Sequence, residues 1–165
     1  MAELELTRAR DDRRLYVLDG VGTLRLHGWG GRAATATADR DGRAWELVRR
    51  GLFKVSVEAT DALGTLVGSY EPRTFGRGGA LLWGGRALTM RPASAWVDRY
   101  ALADGDLELA VYSPRGWSKR PVSVRVGDPA ADPGLLLYAA YVARVLADDA
   151  NAAATGGSSG MMTTG

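Results

Sequence analysis

The chain has no cysteine, one histidine and only two lysines. The absence of cysteine excludes disulfide bonds and thiolate metal ligands, and it is compatible with a reducing compartment. Because His27 is the only histidine, a Ser-His-Asp relay or a multi-histidine metal site would have to be assembled around one imidazole. We interpret His27 as an outward-facing strand residue, and we expect no catalytic residues, no metal site and no cofactor.

A strong charge of either sign is also missing. The 21 basic and 19 acidic residues leave a net charge of +2, which is too small a surplus to favour duplex nucleic acid as a partner. Glu3 and Glu5 interrupt the region where a secretory signal needs an apolar run, so we expect a cytoplasmic protein. The length of 165 residues predicts one domain over residues 1–150, followed by a flexible tail over residues 151–165.

Apolar and polar residues alternate through most of the chain, which is typical of strands with one buried face. The stretch LFKVSVEA at 52–59 is the clearest case, and Leu107, Leu109 and Val111 are likewise predicted to share a buried face. Gly, Asp and Pro residues separate the runs. The pattern predicts about twelve strands, at residues 2–9, 13–18, 22–27, 33–39, 43–49, 52–59, 64–70, 79–83, 86–91, 95–102, 106–112 and 121–126.

Short loops between these runs predict antiparallel neighbours in meander order. Open sheets of more than about ten strands tend to curl, split or close, so the sequence predicts a closed barrel. A barrel of eleven or twelve strands leaves a lumen that its own wall does not fill.

The C-terminal segment is predicted to occupy the lumen of the barrel. Asp132-Pro133 is a typical helix start, and Leu135 to Ala147 reads LLLYAAYVARVLA, in which only Arg144 is polar. Thirteen helical residues rise about 20 Å, which is short of the roughly 30 Å of a membrane core. We therefore predict a mainly β fold in which a hydrophobic helix over residues 133–150 is enclosed by the barrel, with Ala34, Ala36 and Ala38 facing it.

Three segments, together with this order of elements, carry a resemblance to a known family. They are GLFKVSVEATDALGTLVGSYEP at 51–72, WVDRYALADGDLELAVYSPRGWSKRPVSV at 96–124 and PGLLLYAAYVARVLADDANAA at 133–153. The chain resembles the Tubby C-terminal-like barrel superfamily, which includes the phospholipid scramblases and the LURP-one-related proteins. The resemblance implies a non-catalytic barrel that in some members binds phosphoinositides or contacts membranes. The basic cluster of tubby proteins has no residue-by-residue counterpart in this chain, and scrambling activity is not expected.

The pentapeptide WGGRA occurs twice, at 29–33 and 83–87. Almost nothing outside the five residues aligns, so we interpret the copies as two hairpin turns in which Gly-Gly supplies positive φ. In each turn we expect the Trp to pack and the Arg to be solvated. The copies are five strands apart, which predicts opposite ends of the barrel.

The predicted ligand site is the loop containing Arg115, Trp117, Lys119 and Arg120, because it combines three cations with an aromatic ring. A secondary candidate is an anion-binding backbone turn. It consists of Arg73, Arg77, Gly78 and Gly79.

From these residues we expect a binding module that recognises anionic phospholipid headgroups or another phosphorylated ligand. Such a protein would be peripheral at the inner membrane surface and would not span the bilayer. The alternative is a structural or protein-interaction module without lipid activity, whose partner the sequence does not identify.

Overall fold

The computed structural model describes residues 2–51, 54–74, 77–93, 99–113, 122–127 and 131–156, with side chains as far as residue 150. Twelve strands and one long helix account for most of these residues. The strands are β1 (Ala2–Arg8), β2 (Leu15–Leu18), β3 (Gly22–His27), β4 (Ala33–Ala38), β5 (Ala44–Arg50), β6 (Ser56–Thr60), β7 (Leu66–Pro72), β8 (Gly79–Trp83), β9 (Arg86–Pro92), β10 (Tyr100–Asp104), β11 (Leu107–Ser113) and β12 (Val122–Val126); the helix is α1 (Pro133–Gly156).

The strands form a closed barrel in which each strand pairs antiparallel with its neighbour in sequence. The barrel closes between the first and last strands, where Leu4 of β1 lies opposite Val124 of β12. The predicted strand number, meander order and closure are therefore confirmed. We call the end where odd-numbered strands finish the upper end, and the opposite end the lower end.

Alternation along each strand builds the inner wall. Leu24 and Leu26 of β3 are buried, whereas Arg25 between them is exposed. The three alanines of β4 are buried as predicted, because a small side chain lets the strand approach the helix closely. In β11, Leu109, Ala110 and Tyr112 are buried, whereas Leu107 is 64% exposed. The predicted buried face of β11 is therefore confirmed at Leu109 and wrong at Leu107, because the register with β10 shifts between Leu102 and Ala103.

The helix α1 passes through the lumen. None of the nine residues from Leu135 to Ala143 is more than 3% exposed. Because one helical turn takes about 3.6 residues, nine consecutive buried residues leave no side of this segment facing water. The enclosure that its uniformly apolar sequence predicts is confirmed. No helix among the described residues has the length and hydropathy needed to cross a membrane.

The start of α1 is fixed at the lower end. Asp132 caps the helix, since its Oδ1 accepts a hydrogen bond of 2.9 Å from the Gly134 amide, and Pro133 takes the first helical position. The Asp132 Oδ2 accepts a second bond of 2.9 Å from the Trp83 indole. The helix continues to Gly156, beyond the end predicted at residue 150, and residues 157–165 lie outside the described residues.

We expect Val142→Asp to prevent cooperative folding. Val142 is fully buried, and an unpaired carboxylate there costs several kcal/mol out of a typical domain stability of about 5–15 kcal/mol. Thermal unfolding followed by circular dichroism checks this expectation. The matched control is Leu63→Asp, since Leu63 is 90% exposed in a turn. Retention of a native melting transition by Val142→Asp would contradict the enclosure.

Candidate functional site

The meander sorts the charged side chains between the two ends of the barrel, because successive connections alternate between the ends. Among the described residues, the upper connections carry eight basic and two acidic residues, whereas the lower connections carry two basic and six acidic residues. All eight upper cations are exposed; they are Arg10, Arg13, Arg14, Arg32, Lys54, Arg73, Arg77 and Arg99. A nearly neutral chain therefore has a basic upper end and an acidic lower end.

Trp29 stands at the upper end and is 94% exposed. It lies in the connection between β3 and β4, residues 28–32, which we call the Trp29 loop. Gly28, Gly30 and Gly31 have φ near +70°, a conformation that an L side chain rarely adopts. The loop therefore bends on glycine backbone and presents the indole to solvent.

The two WGGRA copies are both turns with positive-φ glycines at opposite ends, as predicted, but only one tryptophan packs. Trp83 is 8% exposed because it follows the inward Leu81 by two residues in β8. Trp29 follows the inward Leu26 by three residues and lies beyond the end of β3. The expectation that Trp29 packs is therefore wrong, because Trp29 does not keep the two-residue spacing from an inward strand residue that Trp83 keeps.

The Trp29 loop is attached to the enclosed helix. The Tyr141 hydroxyl donates a hydrogen bond of 2.7 Å to the carbonyl of Gly31. Burial raises the pKa of Tyr141 to about 12, so the phenol remains a donor at neutral pH. The Arg32 carbonyl also accepts a bond of 2.8 Å from the Arg49 amide of β5. The exposed indole thus belongs to a loop that hydrogen bonds attach to α1 and to β5.

Two ion pairs lie where the helix leaves the lumen at the upper end. Arg49 pairs with Asp149, and Arg144 lies 3.7 Å from Asp148 with its guanidinium over the Tyr16 ring. Burial raises the pKa of Asp148 above its ordinary value, and the two arginines partly oppose this effect. These partly buried charges are balanced within the protein. The eight exposed cations of the described upper connections are additional to these two pairs.

The predicted ligand site belongs to the connection between β11 and β12. Arg115, Trp117, Lys119 and Arg120 lie outside the described residues. The strand residues that flank this connection, Ser113 and Val122, both lie at the upper end. Sequence reasoning did not identify the Trp29 loop, although the position of the indole beyond the apolar alternation of β3 was a usable signal.

The secondary candidate also lies at the upper end. Arg73 and Arg77 are exposed, and the amide of Arg73 donates to the carbonyl of Gly78 at 3.0 Å. A Cβ on Gly78 would lie 2.1 Å from the Met90 carbonyl oxygen, and one on Gly79 would lie 2.0 Å from that of Glu71. Close strand approach therefore explains both glycines, and the predicted anion-binding role of this turn stays a prediction.

His27 faces outward, and its Nε2 lies 2.7 Å from the Thr35 hydroxyl oxygen. The same hydroxyl donates to Glu46 at 2.9 Å. The interpretation of His27 as an outward strand residue is confirmed. No group of three His, Cys, Asp or Glu side chains within the described ranges is arranged to hold a metal ion.

We expect Tyr141→Phe to loosen the Trp29 loop. Loss of the hydroxyl removes one hydrogen bond, worth about 1 kcal/mol, and leaves the Gly31 carbonyl without this donor. Amide hydrogen exchange across residues 28–32 should accelerate. The control is Tyr112→Phe, which removes a bond to the Leu136 carbonyl elsewhere in the lumen and should leave exchange in the loop unchanged. Equal exchange in both variants would contradict the attachment.

Comparison with known proteins gives the chain no assignment. No family model, curated protein or solved structure matches it. What either end of the barrel binds is therefore inferred from the residues that the end exposes.

Proposed function

We propose that the chain is a peripheral binding module of the Tubby-like barrel type, and that its upper end docks on a membrane surface rich in anionic phospholipid headgroups. The observation that carries this proposal is the coincidence of an almost fully exposed tryptophan with eight exposed cations among the described connection residues at the same end of the barrel. The Tubby-like type is supported only by the overall architecture, which is a twelve-stranded antiparallel barrel around one C-terminal helix.

The charges suit a phosphate-rich surface. Arg13, Arg32 and Lys54 are exposed and form no salt bridge with acidic side chains of the described residues. Arginine can bind phosphate oxygens in a bidentate manner, and each basic residue near an anionic bilayer contributes about 1 kcal/mol of attraction. Several cations that face one way therefore provide a substantial attraction, although the net charge of the chain is small.

Trp29 provides the apolar part of the contact. Tryptophan is enriched where bilayers meet water, since its ring is apolar and its N–H can remain hydrated at headgroup level. A single exposed indole is too small to hold a protein on a membrane by burial alone, so it acts together with the cations. A Cβ added at Gly28 or Gly30 would have no other atom within 4 Å, so the space beside Trp29 is open.

We expect Arg13→Glu combined with Arg32→Glu to abolish most binding to phosphatidylserine-containing vesicles. Loss of two attractive charges, each worth about 1 kcal/mol, weakens binding roughly thirtyfold, and the introduced carboxylates add repulsion. Sedimentation with phosphatidylcholine vesicles that contain or lack phosphatidylserine, at low and high salt, measures the effect. Binding of the unaltered protein should require the anionic lipid and fall with salt.

The matched control is Arg40→Glu combined with Arg43→Glu, which reverses two exposed charges at the lower end. This variant should bind vesicles as the unaltered protein does. Equal loss in the two double variants would mean that net charge, and not the upper end, determines binding. No vesicle binding by the unaltered protein would reject the lipid proposal in favour of a protein-interaction module.

We expect Trp29→Ala to weaken vesicle binding about tenfold, because burial of a large apolar side chain is worth about 1.5–3 kcal/mol when it is complete. The control is Leu63→Ala, which removes a similarly exposed apolar side chain from the lower end. The partition coefficient of each variant is measured on the same anionic vesicles. Unchanged partitioning of Trp29→Ala would remove the indole from the proposed contact.

A further inference from the structure

A cavity of about 310 Å³ opens at the lower end, opposite the proposed membrane contact. Its apolar lining consists of Trp45, Trp83, Val67 and Leu135, which come from β5, β7, β8 and the first turn of α1. Ligand pockets in proteins span roughly 300–1,000 Å³, so this cavity has room for a molecule of one or two rings.

The aromatic wall of the cavity is held in place by close packing. The ring centroids of Trp45 and Trp83 are 5.8 Å apart, and Trp83 stacks on Tyr138 of the helix at 5.3 Å. The helix passes so close that a Cβ on Gly134 would lie 2.7 Å from both indoles. The wall is therefore preformed, which reduces the ordering cost of binding a flat molecule.

Most polar groups at the cavity are already engaged within the protein. Both carboxylate oxygens of Asp132 accept hydrogen bonds, one of them from the Trp83 indole. The Nε and Nη2 atoms of Arg86 both donate to Asp104, at 3.0 and 2.6 Å. These groups shape the mouth of the cavity and have little capacity left for a ligand.

Arg43 differs from these groups. Its guanidinium lies 5.2 Å from the centre of the Trp45 ring, and it forms no salt bridge with any acidic side chain of the described residues. Its backbone is fixed, since the Arg43 amide donates to Asp41 Oδ1 at 3.0 Å. The cavity thus combines a flat apolar wall with one positioned cation whose donors are available to an anion.

We propose that this lower cavity binds a small aromatic carboxylate, with its ring against Trp45 and Trp83 and its carboxylate on Arg43. This site is independent of the proposed membrane contact, because the two lie at opposite ends of the barrel. Occupation of the cavity would leave the Trp29 loop exposed.

The probe is 2-naphthoate, titrated into the full chain while the indole N–H signals of Trp45 and Trp83 are followed by NMR. We expect saturable shifts of both signals, and binding at least about tenfold weaker for the uncharged 2-naphthamide. Arg43→Gln should weaken 2-naphthoate by a similar factor. Arg40→Gln is the matched control, since Arg40 is an exposed cation of the same turn that does not line the cavity.

A second variant tests the contribution of the cavity separately from that of the Arg43 charge. Val67→Phe places a ring in the cavity without changing charge, and it should abolish binding while the protein still melts cooperatively. Equal affinities for 2-naphthoate and 2-naphthamide, equal effects of Arg43→Gln and Arg40→Gln, or unaltered binding in Val67→Phe would each overturn the site. The Arg43→Gln variant should bind vesicles as the unaltered protein does. Rejection of the carboxylate site is therefore distinguishable from rejection of the membrane contact.

Discussion

The fold depends on one constraint, which is that α1 has no polar face. A helix that is apolar on every side must be surrounded by protein, and a twelve-stranded barrel has a lumen that must be filled. Each part therefore removes from water a surface that the other part exposes. The fit is close, since a Cβ on Gly22 of β3 would lie 2.9 Å from the Leu137 side chain, and a Cβ on Gly134 of α1 would lie 2.7 Å from the Trp45 and Trp83 rings.

The helix also connects the two ends of the barrel. At the lower end Asp132 bonds the Trp83 indole, and at the upper end Tyr141 bonds the backbone of the Trp29 loop. Between them the Tyr138 hydroxyl donates 2.6 Å to the Val57 carbonyl, and burial holds the pKa of Tyr138 far above its usual range. Both candidate binding surfaces are thus attached to the buried helix α1, which fixes their positions with respect to each other.

Alternation and turn residues predicted the twelve strands and the helix, because strand period and helix capping are local properties of the sequence. The buried face of β11 was predictable only at Leu109, since the register shift between Leu102 and Ala103 interrupts the alternation and leaves Leu107 exposed. The identical pentapeptides suggested the same packing for both tryptophans. Trp29 nevertheless does not pack, because it lies three residues after the inward Leu26 and not two. The apolar wall of the lower cavity comes from four separate elements, so no single segment contains a signal for it.

The sorting of charge follows from the topology and not from the composition. In a meander every second connection emerges at the same end, so acidic and basic turns that alternate along the chain are separated in space. Among the described residues the charges thereby form a dipole along the barrel axis, although the net charge of the chain is only +2. Such a dipole would orient the molecule before contact with an anionic surface, with its acidic lower end turned away. The lower cavity would then face the aqueous phase and remain accessible while the upper end is docked.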